Sequence, residues 1–159
     1  MTAPLRARPG RELAVHAAVA SVDDPEYPEV SIVDLGLLES IAINDDGDVA
    51  IGLIPTFSGC PALAVIAADV EAAVAGVDGV ASVDVRWLNA PAWTVDRISH
   101  DARVQLADQF TVAVELGRRP PTCPRCGAPT VEQSMFGPSR CRSVHQCPSC
   151  RETVEVMRS

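Results

Sequence analysis

Four cysteines near the end of this 159-residue chain have the spacing of a metal site. They form two Cys-x-x-Cys pairs, Cys123 with Cys126 and Cys147 with Cys150, and twenty residues separate the pairs. Each pair can point two thiolates at one ion, and the second pair completes the tetrahedron that Zn²⁺ prefers. Gly127 suits the tight turn of such a knuckle, because glycine tolerates a positive φ. The pattern predicts a structural zinc ribbon; two disulfides or four free thiols are the alternatives.

Two further residues near these pairs could ligate the same ion. Cys141 lies six residues before Cys147, and His145 lies two residues before it. Four cysteines already complete a tetrahedral shell, and that shell leaves no open position for a substrate. We therefore expect the ribbon to be a docking platform and any chemistry to lie earlier in the chain.

Cys60 is the candidate for that chemistry. It follows Thr56, Ser58 and Gly59 in a small polar loop and directly precedes an alanine-rich segment that predicts a helix over 62–75. Unpaired amides at the start of a helix favour anions and can stabilise a thiolate. Cys60 is therefore a candidate ligand for a soft metal or cluster, or a reactive thiol; a buried packing role is the alternative. A phosphate loop fits poorly, because the segment lacks a lysine and the GxxxxGK pattern.

Three carboxylates in the first quarter of the chain also qualify as site residues. Asp24 and Glu26 lie beside prolines in a rigid loop, and Asp34 lies inside an apolar run. A carboxylate drawn into a core needs a hydrogen-bonded partner, so we expect one for Asp34. A local capping role is the alternative for all three.

The histidines give weak support to a hydrolase that pairs a cysteine with a histidine. His16, His100 and His145 are scattered along the chain in ordinary contexts. Solvated or capping side chains are the expected roles for all three.

Composition and charge exclude several other functions. From Arg118 onward, seven arginines and three acidic residues give +4, whereas six arginines and eighteen acidic residues before it give −12. An acidic body argues against nucleic-acid binding, which needs a basic face. No apolar run reaches the roughly 18 residues that span a membrane. Six cysteines without a secretory signal predict a protein of the reducing cytoplasm.

The patterns also predict the elements that position these residues. Helices are expected over 12–20, 62–75 and 101–110, strands over 41–43, 49–54 and 80–88, a loop over 24–28, a turn over 31–38 and a linker over 112–121. This order predicts an α+β fold with a small three-stranded sheet and packed helices, followed by a small β zinc ribbon. The predicted domains are 10–96, a helix and linker over 97–120, and the ribbon over 121–157.

Three blocks resemble the signatures of the metal–sulfur cluster assembly factor family, in the same order. They are DPEYP at 24–28, SIVDLGL at 31–37 and TFSGCP at 56–61. The resemblance covers about residues 10–96. With the ribbon behind it, and with Phe136, Gly137 and Cys141 before the last cysteine pair, the chain resembles the accessory proteins of the phenylacetyl-CoA epoxidase system.

The resemblance implies a non-catalytic role in assembling or maintaining the iron or iron–sulfur centres of that multicomponent oxygenase. It implicates six residues around a transient iron or iron–sulfur site: Cys60 as the ligand, Thr56 and Ser58 shaping its loop, and Asp24, Glu26 and Asp34 nearby. One thiol cannot supply the usual four cluster ligands, so a homodimer, small thiols or an epoxidase component must contribute the others. The alternatives are a bridging subunit that carries no iron and a thiol enzyme that uses Cys60.

Overall fold

The computed structural model describes residues 9–138 and 142–159. The chain divides into two compact units. The first contains the chain up to Pro55 together with Pro61–Ala92, and the second contains Thr56–Cys60 together with Trp93–Ser159. Within the described ranges, every helix is too short or too polar to cross a lipid bilayer.

The first unit is built around a three-stranded sheet. Its elements are α1 (Pro9–Ala20), β1 (Asp23–Asp24), β2 (Tyr27–Ser31), β3 (Leu38–Ile43), β4 (Asp48–Leu53), α2 (Ala62–Ala75) and β5 (Ser82–Trp87). The sheet order is β3-β4-β5; β3 pairs with β4 antiparallel, and β4 pairs with β5 parallel. The parallel pair requires a crossover, which α2 supplies. The predicted α+β class and three-stranded sheet are confirmed.

The core of this unit consists of aliphatic side chains. The central strand β4 buries Val49, Ile51 and Leu53, which alternate along the strand as one face of a sheet requires. Helix α2 buries Ile66 and Val70, which share a helix face because they are four residues apart. The helix has the predicted bounds, because its alanine-rich sequence is uninterrupted between Pro61 and Gly76.

A tight turn connects β3 to β4, and hydrogen bonds of the Asn44 and Asp48 side chains stabilise it. The Asn44 side-chain oxygen accepts a hydrogen bond from the Asp48 amide at 2.8 Å. The Asp48 carboxylate accepts a hydrogen bond from the Ser82 hydroxyl at 2.7 Å, which links this turn to β5 as well. The Asn44 side-chain amide also donates to this carboxylate at 2.9 Å, and the hydrogen bonds that it accepts, first from Ser82 and then from Asn44, lower the pKa of Asp48.

The predicted loop over 24–28 is wrong in part, because a two-stranded hairpin includes Asp24 and Tyr27. Pro28 lies inside β2, where it is exposed and belongs to none of the paired positions, so its missing amide is not needed. Glu29 follows at φ 71, and its amide donates to the Asp23 carboxylate at 3.0 Å. The sequence signal is misleading here because proline normally interrupts a ladder.

The second unit combines a helix with a four-stranded sheet. Its elements are a 3₁₀ turn (Val95–Arg97), α3 (His100–Phe110), β6 (Val112–Val114), β7 (Val131–Ser134), β8 (Arg142–Gln146) and β9 (Thr153–Met157), with the strand order β6-β9-β8-β7. The Ser99 hydroxyl caps α3 by accepting from the Ala102 amide at 3.1 Å.

The predicted linker over 112–121 is also wrong in part. Its first residues form β6, which pairs with β9 in parallel. Val112 is buried, and Ala113 packs against the small core formed by Cys123, Cys147, Val154 and Val156. The apolar segment Val112–Val114 belongs to the ribbon sheet because it completes that core. Local sequence patterns do not reveal this, because the contacting residues lie far along the chain.

Candidate functional site

The four ribbon cysteines converge on one point. Their sulfur atoms all lie within 4.8 Å of one another. The Sγ atoms of Cys123 and Cys150 are 3.6 Å apart, and those of Cys126 and Cys147 are 3.4 Å apart. A tetrahedral zinc site with bonds of about 2.3 Å requires sulfurs about 3.8 Å apart, whereas a disulfide requires about 2.05 Å. The donor set therefore fits one tetrahedral ion.

The two knuckles share one backbone design. The Cys123 carbonyl accepts from the Gly127 amide at 2.8 Å, and the Cys147 carbonyl accepts from the Arg151 amide at 2.9 Å. Both donors have a left-handed backbone, with φ 76 at Gly127 and φ 64 at Arg151. The first knuckle thus uses glycine where the second uses a residue with a side chain.

The local electrostatics help the cysteine thiols to lose their protons when a cation binds. The Cys150 amide, 3.5 Å from the Cys147 sulfur, is the largest cause that lowers the pKa of Cys147 to about 6. The Glu152 amide acts to lower the pKa of Cys150, but desolvation and the neighbouring sulfurs raise it to about 12. One thiolate therefore forms readily, and the remaining thiols lose their protons when metal binds.

His145 is a buried structural residue, so the expectation of a solvated or capping histidine is wrong for it. Its Nδ1 lies 3.0 Å from the Thr130 hydroxyl, which itself donates to the Pro121 carbonyl at 2.9 Å. Because that hydroxyl has one proton, Nδ1 must be the donor to Thr130. Nε2 then accepts from the Ser143 hydroxyl at 3.1 Å. Burial lowers the pKa of His145 and keeps the ring neutral.

This arrangement occupies both ring nitrogens of His145 inside the protein, so four cysteines make up the described ligand cluster. The other two histidines, His16 and His100, are exposed as expected. Cys141 lies outside the described residues, and its role as a ligand stays a prediction.

Sequence reasoning missed an ion pair in the ribbon sheet. Arg142 in β8 is 5% exposed, and its Nη1 lies 2.6 Å from the carboxylate of Glu155 in β9. The two residues are two positions apart in the cross-strand register. Only a prediction of the pairing register between β8 and β9 could have indicated this ion pair, because an arginine is ordinarily expected at the surface.

Cys60 occupies a compact turn of the second unit. Its side chain is half-buried and forms no disulfide. The Cys60 amide donates to the Phe57 carbonyl at 3.3 Å, and a Cβ on Gly59 would lie 2.7 Å from the Phe57 ring. Pro61 follows as the N-cap of α2 and gives it no side-chain hydrogen bond. The turn therefore holds a partly accessible thiol two residues before a helix.

The three candidate carboxylates all belong to the first unit. The Asp24 carboxylate accepts from the Glu26 amide at 2.8 Å, which is a local capping role. Asp34 is exposed in the turn after β2, so the expectation that it needs a buried partner is wrong. Its neighbours Ile32 and Leu35 are buried in its place. That these carboxylates lie near Cys60 stays a prediction.

The chain joins an α+β unit, whose crossover helix follows Cys60 in the sequence, to a four-cysteine ribbon. This combination is typical of proteins that bind metal ions. The family model described as "Iron-sulfur cluster assembly protein" matches residues 12–85. The family model described as "PaaD zinc beta ribbon domain" matches residues 107–158.

Whole-chain comparison supports the same class. The chain is 33% identical to an Escherichia coli (strain K12) protein named as one of the subunits of a "Putative 1,2-phenylacetyl-CoA epoxidase", over 91% of this chain and 90% of that one. It is 34% identical to the "Fe-S protein maturation auxiliary factor YitW" of Bacillus subtilis (strain 168), over 60% of this chain and 92% of the relative. The chain therefore belongs to the family that joins an iron–sulfur cluster assembly domain to a PaaD zinc ribbon.

Solved structures agree with the fold. A domain of unknown function, DUF59, from Bacillus anthracis aligns with a TM-score of 0.59 and 29% identity, over 63% of this chain and 94% of that one. A conserved hypothetical protein of Thermotoga maritima aligns with a TM-score of 0.52 and 33% identity, over 58% of this chain and 89% of that one.

Proposed function

We propose that this chain is an accessory factor that assembles or maintains iron or iron–sulfur centres of a phenylacetyl-CoA epoxidase. In this proposal Zn²⁺ holds the ribbon together, and Cys60 carries the iron species as transient cargo. The names of the relatives from Escherichia coli and Bacillus subtilis support the two halves of this role. The observation that carries the proposal is the free, half-buried thiol of Cys60 inside the matched assembly domain.

The coordination chemistry separates a structural site from a cargo site. Four thiolates saturate the ribbon ion, so the ribbon has no position for cargo. Of the described cysteines, Cys60 is the one outside that cluster. A single thiolate binds soft iron species but supplies one of the usual four cluster ligands. The remaining ligands would come from a second copy, small thiols or an epoxidase component.

The proposed experiment measures zinc and iron per chain in protein purified without air. Wild type, Cys60→Ser and Cys141→Ser are compared, before and after reconstitution with iron and sulfide. Cys141→Ser is the matched control, because it removes the other cysteine that belongs to neither Cys-x-x-Cys pair in the sequence. We expect about one zinc in all three proteins and iron in wild type and the control. Iron that Cys60→Ser retains would show that Cys60 is not the ligand.

A second measurement links the carrier to its client. Phenylacetyl-CoA epoxidase components are co-produced with each variant, and epoxidase activity and cluster content are measured. The carrier role predicts that Cys60→Ser lowers both while its circular dichroism and zinc content match wild type. Full activity with Cys60→Ser would favour a bridging subunit that carries no iron.

The bridging alternative has one observation in its favour. Met135 and Phe136, which directly follow β7, are 55% and 75% exposed, which is unusual for apolar side chains of this size. A docking surface of this kind requires no iron. Phe136→Ser should then abolish co-purification with an epoxidase component, whereas Cys60→Ser should leave it unchanged.

A further inference from the structure

A cavity of about 350 Å³ lies within the second unit, beside α3. Its polar lining comes from His100 and Arg103 on α3 and from Thr122, the residue before the first ribbon cysteine. The other lining residues are apolar, and two of them, Val104 and Leu116, are 46% and 40% exposed. Apolar walls with a few convergent polar groups are typical of small-molecule sites.

Arg103 gives this cavity its chemical preference. Its Nε is buried from solvent and has no hydrogen-bond partner among the described residues. None of the residues that line the cavity is acidic, so the charge facing the space is positive or neutral. Because the Nε atom is closed off from solvent, a ligand in this space would have to meet the guanidinium through its Nη groups, and the charge of the guanidinium favours an anionic group on that ligand.

The volume of the cavity, which is open to solvent, sets the scale of a ligand that would fill it. Liquid water occupies about 30 Å³ per molecule, so the space holds on the order of a dozen non-hydrogen atoms. The apolar lining disfavours a compact, fully hydrated anion such as phosphate, because most of the contact area could not satisfy its oxygens. A carboxylate attached to an apolar body matches both parts of the lining.

We propose that this cavity binds a small carboxylic acid with an aromatic or alkyl body of about a dozen non-hydrogen atoms. The guanidinium of Arg103 pairs with the carboxylate, assisted by His100, and the body packs against Val104 and Leu116. Arginine is suited to this task because its planar fork matches a carboxylate. The site shares no residue with the Cys60 loop, so it does not depend on the proposed carrier role.

A bound acid would also contact the zinc knuckle. Pro124, which lies between the first two ribbon cysteines, lines the cavity. Occupancy should therefore slow the transfer of zinc from the ribbon to a chelator, because the knuckle must open for the ion to leave. The rate of zinc transfer to a chelator therefore reports ligand binding independently of calorimetry and NMR.

The test uses the zinc-loaded full chain and 3-phenylpropanoate as the probe, titrated by calorimetry and by ¹H–¹⁵N NMR. We expect saturable binding, with 3-phenylpropanamide at least about tenfold weaker because it lacks the charge. Arg103→Gln should weaken binding at least about tenfold. Ala107→Leu fills the cavity while keeping Arg103 and should block binding. Arg119→Gln, an exposed arginine that does not line the cavity, is the matched control and should bind as wild type does.

Several outcomes would overturn the proposal. They are absence of binding up to about 10 mM probe, equal affinity for the acid and its amide, wild-type affinity in Arg103→Gln, and displacement of the probe by inorganic phosphate. Binding of a peptide that ends in a free apolar residue, without binding of the small acid, would also overturn it. Zinc content and circular dichroism of each variant are measured first, and the Ala107→Leu result decides the question if Arg103→Gln does not fold.

Discussion

Replacing Gly127 by alanine should weaken zinc binding although the new methyl group has room. A Cβ at this position would have no atom within 4 Å, so crowding is not the cause. The cause is the backbone, which stands at φ 76. A left-handed conformation costs an L-residue roughly 1–2 kcal/mol. The knuckle closes around the metal, so this strain should oppose zinc binding.

The expected magnitude follows from the coupling between binding and folding. A strain of about 1–2 kcal/mol corresponds to zinc affinity about 5–30-fold weaker, since about 1.4 kcal/mol is a factor of ten. Arg151 supplies the reciprocal experiment, because it holds φ 64 in the second knuckle. Arg151→Gly should tighten binding, but by less than about tenfold, because glycine loses roughly 0.5–1 kcal/mol more backbone entropy on ordering.

Competition with a chromophoric chelator at about pH 7 measures both effects. Gly117→Ala is the control, because Gly117 has φ 70 and open space around it but lies outside both knuckles. Its zinc affinity should stay within about twofold of wild type. Wild-type affinity in Gly127→Ala would refute the strain argument. An equal loss in Gly117→Ala would show that the strain acts through the whole unit and not through the knuckle.

Three other perturbations test the ribbon and the cargo loop. Thr130→Val should destabilise the ribbon unit by about 1–3 kcal/mol, measured by chemical unfolding, because it leaves the His145 Nδ1 proton without its acceptor. Gly59→Ala should displace the Phe57 ring and lower iron retention at Cys60 while zinc content stays at the wild-type level, measured by metal analysis. Removal of the metal by a chelator should broaden or shift the NMR signals of the four-stranded sheet and leave those of the three-stranded sheet in place.

Much of the site is predictable because its signals are local. The Cys-x-x-Cys pairs specify a knuckle by spacing alone, and the four sulfurs do converge. The helix over 62–75 is predictable because proline and glycine bound an uninterrupted run of helix formers. In both cases the residues that decide the structure are neighbours in sequence.

Sequence patterns fail where contacts between residues far apart in the sequence decide the local structure. They predict a linker at Val112–Val114, yet this segment joins the ribbon sheet because β9, far later in the chain, offers a pairing edge. They predict a solvated or capping His145, but Thr130 and Ser143 satisfy both of its ring nitrogens in the interior. The loop Thr56–Cys60 follows a strand of the first unit and yet groups with the second, which no local pattern predicts.

The two thiol sites suit opposite kinetic requirements, and this is the strongest physical reason to look for both in one protein. Two of the four ribbon cysteines, Cys123 and Cys147, belong to a small buried core, so loss of a four-thiolate ion would disturb that core and should be slow. An iron species that this chain holds through Cys60 alone could leave through ligand exchange, because only one bond to the chain is broken and the turn keeps its own hydrogen bond to Phe57. Slow exchange preserves a docking surface, and fast exchange permits delivery. A chain that must recognise a client and release iron to it needs both rates, and no single coordination shell can supply them.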